Sequence, residues 1–123
     1  VKSVPEATAL SLWKEAKLPP AEQNVKTYDS QGNYIAMPDN WCDRVGMAWE
    51  IDSWSFHFGK TGFAKTLHRN NRYAAAGIVV VQTLPSRLLD EPAKVVAELQ
   101  AAFRAAASRP RPDVTVVRPA RAA

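Results

Sequence analysis

Val45-Gly46-Met47-Ala48-Trp49-Glu50-Ile51 (VGMAWEI), followed at once by Asp52, is the stretch on which the fold turns. A nearly continuous apolar run of this length reads as a central strand covered on both faces. Glu50 and Asp52 interrupt that reading at its end. Carboxylates are almost never fully buried unless a cation, a metal ion or a shared proton compensates the charge. Two residues apart on an extended chain, both side chains point to one face. Upstream, Pro38-Asp39 closes another expected strand, and a meander would set Asp39 opposite Glu50. His57 follows in the next loop.

Working outward, Pro5 to Lys17 reads as a helix. Ser3 is its N-cap, with Glu6 at the capping-box spacing; Leu10, Leu12 and Trp13 form its apolar stripe, and Pro19-Pro20 is its stop. Asn24 to Tyr28 and Tyr34 to Met37 read as a hairpin around Asp29-Ser30-Gln31-Gly32-Asn33. Ser53 to Gly62 is an aromatic loop carrying Trp54, Phe56 and Phe58. Phe63 to Ala76 is a helix with Lys65, His68, Arg69 and Arg72 on one side, closed by Gly77. Ile78 to Gln82 (IVVVQ) reads as a buried strand, and Pro92 to Ala107 as an amphipathic helix with Val95, Val96, Leu99 and Phe103 inward. The order α-β-β-β-α-β-α predicts an α/β fold. Its central mixed sheet would have about four strands flanked by helices, the last strand parallel to an earlier one after a helical crossover. Residues 1–107 form the expected domain. Residues 108–123 are a Pro/Arg/Ala-rich tail with a short extended patch at Val114 to Val117.

Composition sets outer limits. The 123 residues are one domain's worth, with ordinary apolar content and four tryptophans. The net charge of +4 fits a nucleic-acid partner without demanding one. A single cysteine, Cys42, excludes an internal disulfide and a thiolate metal cage, and beside Trp41 it reads as packing rather than as a nucleophile. No apolar run reaches membrane-spanning length and no signal peptide is evident, so a reducing cytoplasm is the expected setting. The start at Val1 rather than Met points to a piece of a longer protein or a processed chain.

The acids admit two readings. Asp39, Glu50 and Asp52 together could hold Mg²⁺ or Mn²⁺, with His57 as general base and Arg69 and Arg72 clamping phosphate. Alternatively, Glu50 and Asp52 are a solvated strand end paired with Arg69 or Arg72, because structural ion pairs imitate sites. Lys65, Arg69 and Arg72 would then be a solvated helix face.

The strings PDNW, VGMAWEIDSWSFH, FAKTLHRNNRYAAAGIVVVQT and EPAKVVAELQAAF resemble the PD-(D/E)XK nuclease superfamily, near its very-short-patch repair endonuclease branch. That branch includes bacterial domains attached to winged-helix modules in type IV abortive-infection antitoxin-like proteins. The likeness runs from about Glu6 to Phe103. It implies a restriction-endonuclease-like core and Mg²⁺- or Mn²⁺-dependent cleavage of DNA. Asp39 and Glu50 would be metal ligands, His57 a catalytic histidine, Glu6 an acid facing the site, and Arg69 and Arg72 the basic helix. A homodimer and an N-terminal winged-helix domain are the further partners it implies. Asp52 stands where the superfamily usually has lysine. The likeness therefore leaves a second outcome open, an inactive nuclease fold that binds DNA or a protein partner.

Overall fold

The computed structural model describes residues 3–52 and 60–120. The expectations for Trp54, Phe56, His57 and Phe58 lie outside the described residues. The chain is a mixed α/β fold with four helices and two three-stranded sheets among the described residues.

Helix α1 spans Val4–Glu15. The Ser3 hydroxyl accepts a hydrogen bond from the Glu6 amide at 3.2 Å, which satisfies one of the open N–H groups of the first turn. Its buried stripe is Ala9, Leu12 and Trp13, whereas Leu10, expected inward, is half-buried. The helix ends before the prolines, and Trp13 Nε1 donates to the Pro19 carbonyl at 2.8 Å. Strands β1 (Lys26–Tyr28) and β2 (Tyr34–Ala36) form the expected hairpin. Asp29 Oδ1 accepts from the amides of Gln31 and Asn33, both at 2.9 Å, holding the turn as an Asx motif does.

The single sheet expected to contain this hairpin is two sheets. Pro38 cannot donate to a ladder, and the chain crosses there from one sheet to the other. Strand β3 (Asn40–Cys42), absent from the sequence reading, pairs antiparallel with β4 (Met47–Ile51). The expected strand start at Val45 is a turn instead, because Gly46 has φ +71° and a Cβ there would lie 2.6 Å from the Pro112 ring. After α2 (Lys60–Ala76), β5 (Val79–Thr83) pairs parallel with β4, as a helical crossover requires. The order β3-β4-β5 leaves β5 at an edge, so Val79, Val80 and Val81 are half-buried rather than buried.

A short helix α3 (Pro85–Asp90), also absent from the sequence reading, precedes the expected α4 (Pro92–Ala107). Beyond it, Thr115–Val117 forms β6, antiparallel to β1 and completing the sheet β2-β1-β6. Among the described residues, no helix is long and apolar enough to cross a membrane.

Strand β4 is covered on both faces. Met47 and Trp49 pack with Leu12 and Trp13 of α1, Leu88 of α3, and Val95 and Leu99 of α4. Ala48 turns the other way, toward Trp41, Ile35, Tyr73 and Ile78. Each such large apolar side chain contributes roughly 1.5–3 kcal/mol on burial. Cys42 is 1 % exposed within this packing, and desolvation pushes its thiol up, as a structural cysteine requires. Strict alternation along β4 then places Glu50 on the Ala48 face, beneath Tyr73.

A carboxylate cleft beneath helix α2

The register Asn40↔Trp49 sets Asp39 across from Glu50. Two hydrogen bonds lock the pair. The Asp39 amide donates to Glu50 Oε1 at 3.1 Å, and the Ile51 amide donates to Asp39 Oδ2 at 2.7 Å. The two carboxyl groups also lie near enough for a side-chain hydrogen bond. Glu50 is 3 % exposed, while Asp39 keeps solvent access.

Helix α2 supplies what lies over them. Arg69 and Tyr73, four apart, face the strand end together. Tyr73 Oη donates to Glu50 Oε2 at 2.9 Å, and Arg69 Nη1 lies 3.2 Å from the same oxygen. Arg69 also engages Asp52 with both terminal nitrogens, at 3.2 and 3.1 Å, a bidentate fork. Gln82 Nε2 donates to Asp52 Oδ2 at 2.9 Å. The Arg69 guanidinium lies 6.0 Å from the centre of the Tyr73 ring.

Burial pushes the Glu50 carboxyl above its ordinary value, outweighing the Arg69 charge, the Asp39 amide and the Tyr73 hydroxyl. Desolvation likewise raises Asp39; the Ile51 amide and the Arg69 charge oppose the rise, and the Asp52 charge adds to it. Tyr73 is raised far above the phenol range by burial and by Glu50, so it remains a donor. Burial alone would lower Arg69, but Asp52 and Glu50 more than reverse it.

These groups floor a cleft of about 700 Å³. Tyr34, Ala36 and Met37 make one wall, and Lys65, His68, Arg69 and Arg72 of α2 the other. Lys65, His68 and Arg72 are exposed, and Arg72 Nε donates to the Ile35 carbonyl at 2.7 Å, tying α2 to β2. Glu6 is elsewhere. It lines a second cleft, of about 500 Å³, on the α1 side of Asp39, and Met37, Asp39 and Ile51 border both clefts.

The structure thus brings Asp39, Glu50, Asp52, Lys65, Arg69 and Arg72 to one cleft and sets Glu6 beside it. Pairing with Arg69, one of the two sequence readings, is present, yet Glu50 is buried rather than solvated. Sequence reasoning missed Tyr73 and Gln82. Tyr73 follows Arg69 at helical spacing, and Gln82 is the lone polar residue of VVVQT before Thr83, in register with Glu50; both signals are visible afterwards. Among the described residues, no group of three His, Cys, Asp or Glu side chains is arranged to hold a metal ion. The pair Asp39 and Glu50 does suit a hard divalent cation, since Mg²⁺ commonly takes one or two carboxylates and keeps waters or phosphate oxygens. No family model matches the chain, nor does any curated protein or solved structure match it significantly.

Proposed function

We propose that the chain is a metal-dependent phosphodiesterase domain of the restriction-endonuclease-like kind, acting on DNA. The observation that carries this reading is the buried Glu50 set against Asp39, both carboxyls raised, at the floor of a cleft walled by the cations of α2. Asp39 and Glu50 are the residues that would hold Mg²⁺ or Mn²⁺. Such an ion supplies activated water and charge stabilisation on phosphoryl oxygens. The protein's own part is positional. Tyr73 and the Asp39 amide fix the Glu50 carboxylate, and the Ile51 amide fixes Asp39. Lys65, His68 and Arg72 face a phosphate backbone from the opposite wall. Arg69 brings positive charge beside Asp52, at the position where the resembling superfamily carries lysine. His57 is the proposed general base.

A second reading has its own support. Arg69 already neutralises part of the cluster through Glu50 and Asp52, which suits a nuclease fold that binds DNA or a protein partner without cutting. One pair of measurements separates the two. The first reading expects cleavage of DNA that needs Mg²⁺ or Mn²⁺, and anomalous scattering between Asp39 and Glu50 in Mn²⁺-soaked crystals. Salt-sensitive DNA binding with neither cleavage nor bound Mn²⁺ establishes the second.

A further inference from the structure

The second cleft, on the α1 side of Asp39, has a chemistry opposite to the first. Glu6 and Asp39 are its charged lining residues, and among the described residues no Lys, Arg or His lines it. A phosphate is repelled there. Leu10, Met37, Pro38 and Pro85 give it flat apolar walls. At its edge Asn40 is 5 % exposed. The Asn40 Oδ1 accepts from Gln23 Nε2 at 3.0 Å, but the Nδ2 amino group has no hydrogen-bond partner among the described residues. A buried donor left unpaired forfeits its hydration without return, and native proteins seldom tolerate it without a reason.

We infer that this cleft is a nucleobase subsite, which receives the base of a nucleotide whose phosphate lies in the α2 cleft. The inference rests on the phosphodiester-binding reading of that first cleft. The two clefts meet at Met37, Asp39 and Ile51, so a ligand with an anionic end and a flat heteroaromatic end spans both. Asn40 Nδ2 offers a hydrogen bond to a ring nitrogen or carbonyl acceptor. The Glu6 carboxylate accepts from an exocyclic amine, the partner that carboxylates choose on base edges. Cytosine and adenine carry an acceptor beside an amine; thymine carries no amine and is the disfavoured base. The volume of about 500 Å³ is within the range of small-molecule sites.

The test is a titration of the full, isotopically labelled chain, without metal, using each of the four deoxynucleoside 5′-monophosphates and, separately, inorganic phosphate. The Asn40 side-chain amide resonance should shift saturably with the cytosine and adenine nucleotides, at least about tenfold more tightly than with the thymine nucleotide. Inorganic phosphate should move α2 resonances and leave Asn40 unmoved. Leu10→Trp, which fills the cleft from α1, should weaken the base-dependent shift by about tenfold or more. Asn40→Asp, which retains the acceptor for Gln23 and removes the unpaired donor, should weaken nucleotide binding comparably, read on the side-chain amide resonance of Gln23. An Asn40 resonance that no nucleotide moves overturns the subsite, as does a base-dependent shift that survives Leu10→Trp. Cleavage without any Asn40 response sinks the subsite alone. An Asn40 response in a protein that cuts nothing sinks the hydrolase alone.

Discussion

Two clusters of this small protein use the same residue types with opposite results. In the α2 cleft, Asp39, Glu50 and Asp52 share Arg69. At the β3–β4 turn, Asp43 receives Trp41 Nε1 at 2.9 Å and Arg111 Nη2 at 2.8 Å, with Arg118 nearby. Partial desolvation pushes Asp43 up, yet the hydrogen bonds from Trp41 and Arg111 and the two guanidinium charges hold it below the usual carboxylate range. Its charge is wanted where it is. Asp39 and Glu50 sit above that range because their cleft removes water faster than Arg69 returns charge. A satisfied acid fastens two segments. An under-compensated acid holds affinity in reserve for a proton or a cation, and such groups concentrate at functional sites.

The sharpest way to break this contrast is by activity. Asp39→Asn and Glu50→Gln, which preserve shape, should each lower metal-dependent DNA cleavage by more than about 100-fold, the scale of losing a group that stabilises developing charge. Asp43→Asn should leave cleavage within about twofold. Equal losses in all three variants would show that the β3–β4 turn is no mere fastening. Stability comes next. Arg69→Ala strands the buried Glu50 and should cost about 3 kcal/mol in urea unfolding. Arg111→Ala, on a pair about one-third exposed, should cost about 1 kcal/mol or less.

Tyr73→Phe should cost about 1 kcal/mol by removing one donor from Glu50 while keeping the ring. The smallest effect is on pH dependence, and it differs in sign. Asp39, raised in the folded chain, favours folding most while protonated, and that support is lost as pH climbs through its elevated value. Asp43, lowered, supports folding above its ordinary value and loses that support as acid is added. Relative to wild type, Asp39→Asn should therefore stabilise at pH 7 and Asp43→Asn should destabilise, each by about 1 kcal/mol or less. Both differences should shrink as the pH falls below the carboxylate range in denaturant titrations at successive pH values.

Much of this was legible from patterns that are local. Helices α1, α2 and α4 announce themselves through caps, prolines and period, and the Asp29 turn through its residues. The buried acid at the end of β4 stood out because it broke an apolar run. What stayed hidden depends on partners distant in the chain. Strand β3 is three residues, too short for a period, and the extended patch read at Val114 to Val117 becomes β6 only because β1 offers an open edge. The division into two sheets turns on Pro38 and on where β6 lands, neither of which a single segment declares. Helix α3 lies between two prolines that read equally well as a loop. Arg69 read as a phosphate clamp because its helix face is basic; only the crossover from β4 to β5 reveals that it reaches Glu50 and Asp52 first.

Strand β6 carries a consequence for how the molecule is made. It closes against β1, joining Lys26 to Val117, and Arg118 pairs with Glu22 across nearly the same span. During synthesis the α-helical side and β3-β4-β5 emerge with their partners, but β1 keeps an open margin until residues 115–117 leave the ribosome. For that interval the nascent hairpin is a template for mispairing with other chains. The non-local closure is also the slow kind, since the loop entropy falls due before the contacts form. Crowded expression therefore endangers this protein at the sheet β2-β1-β6, one strand of which also walls the α2 cleft.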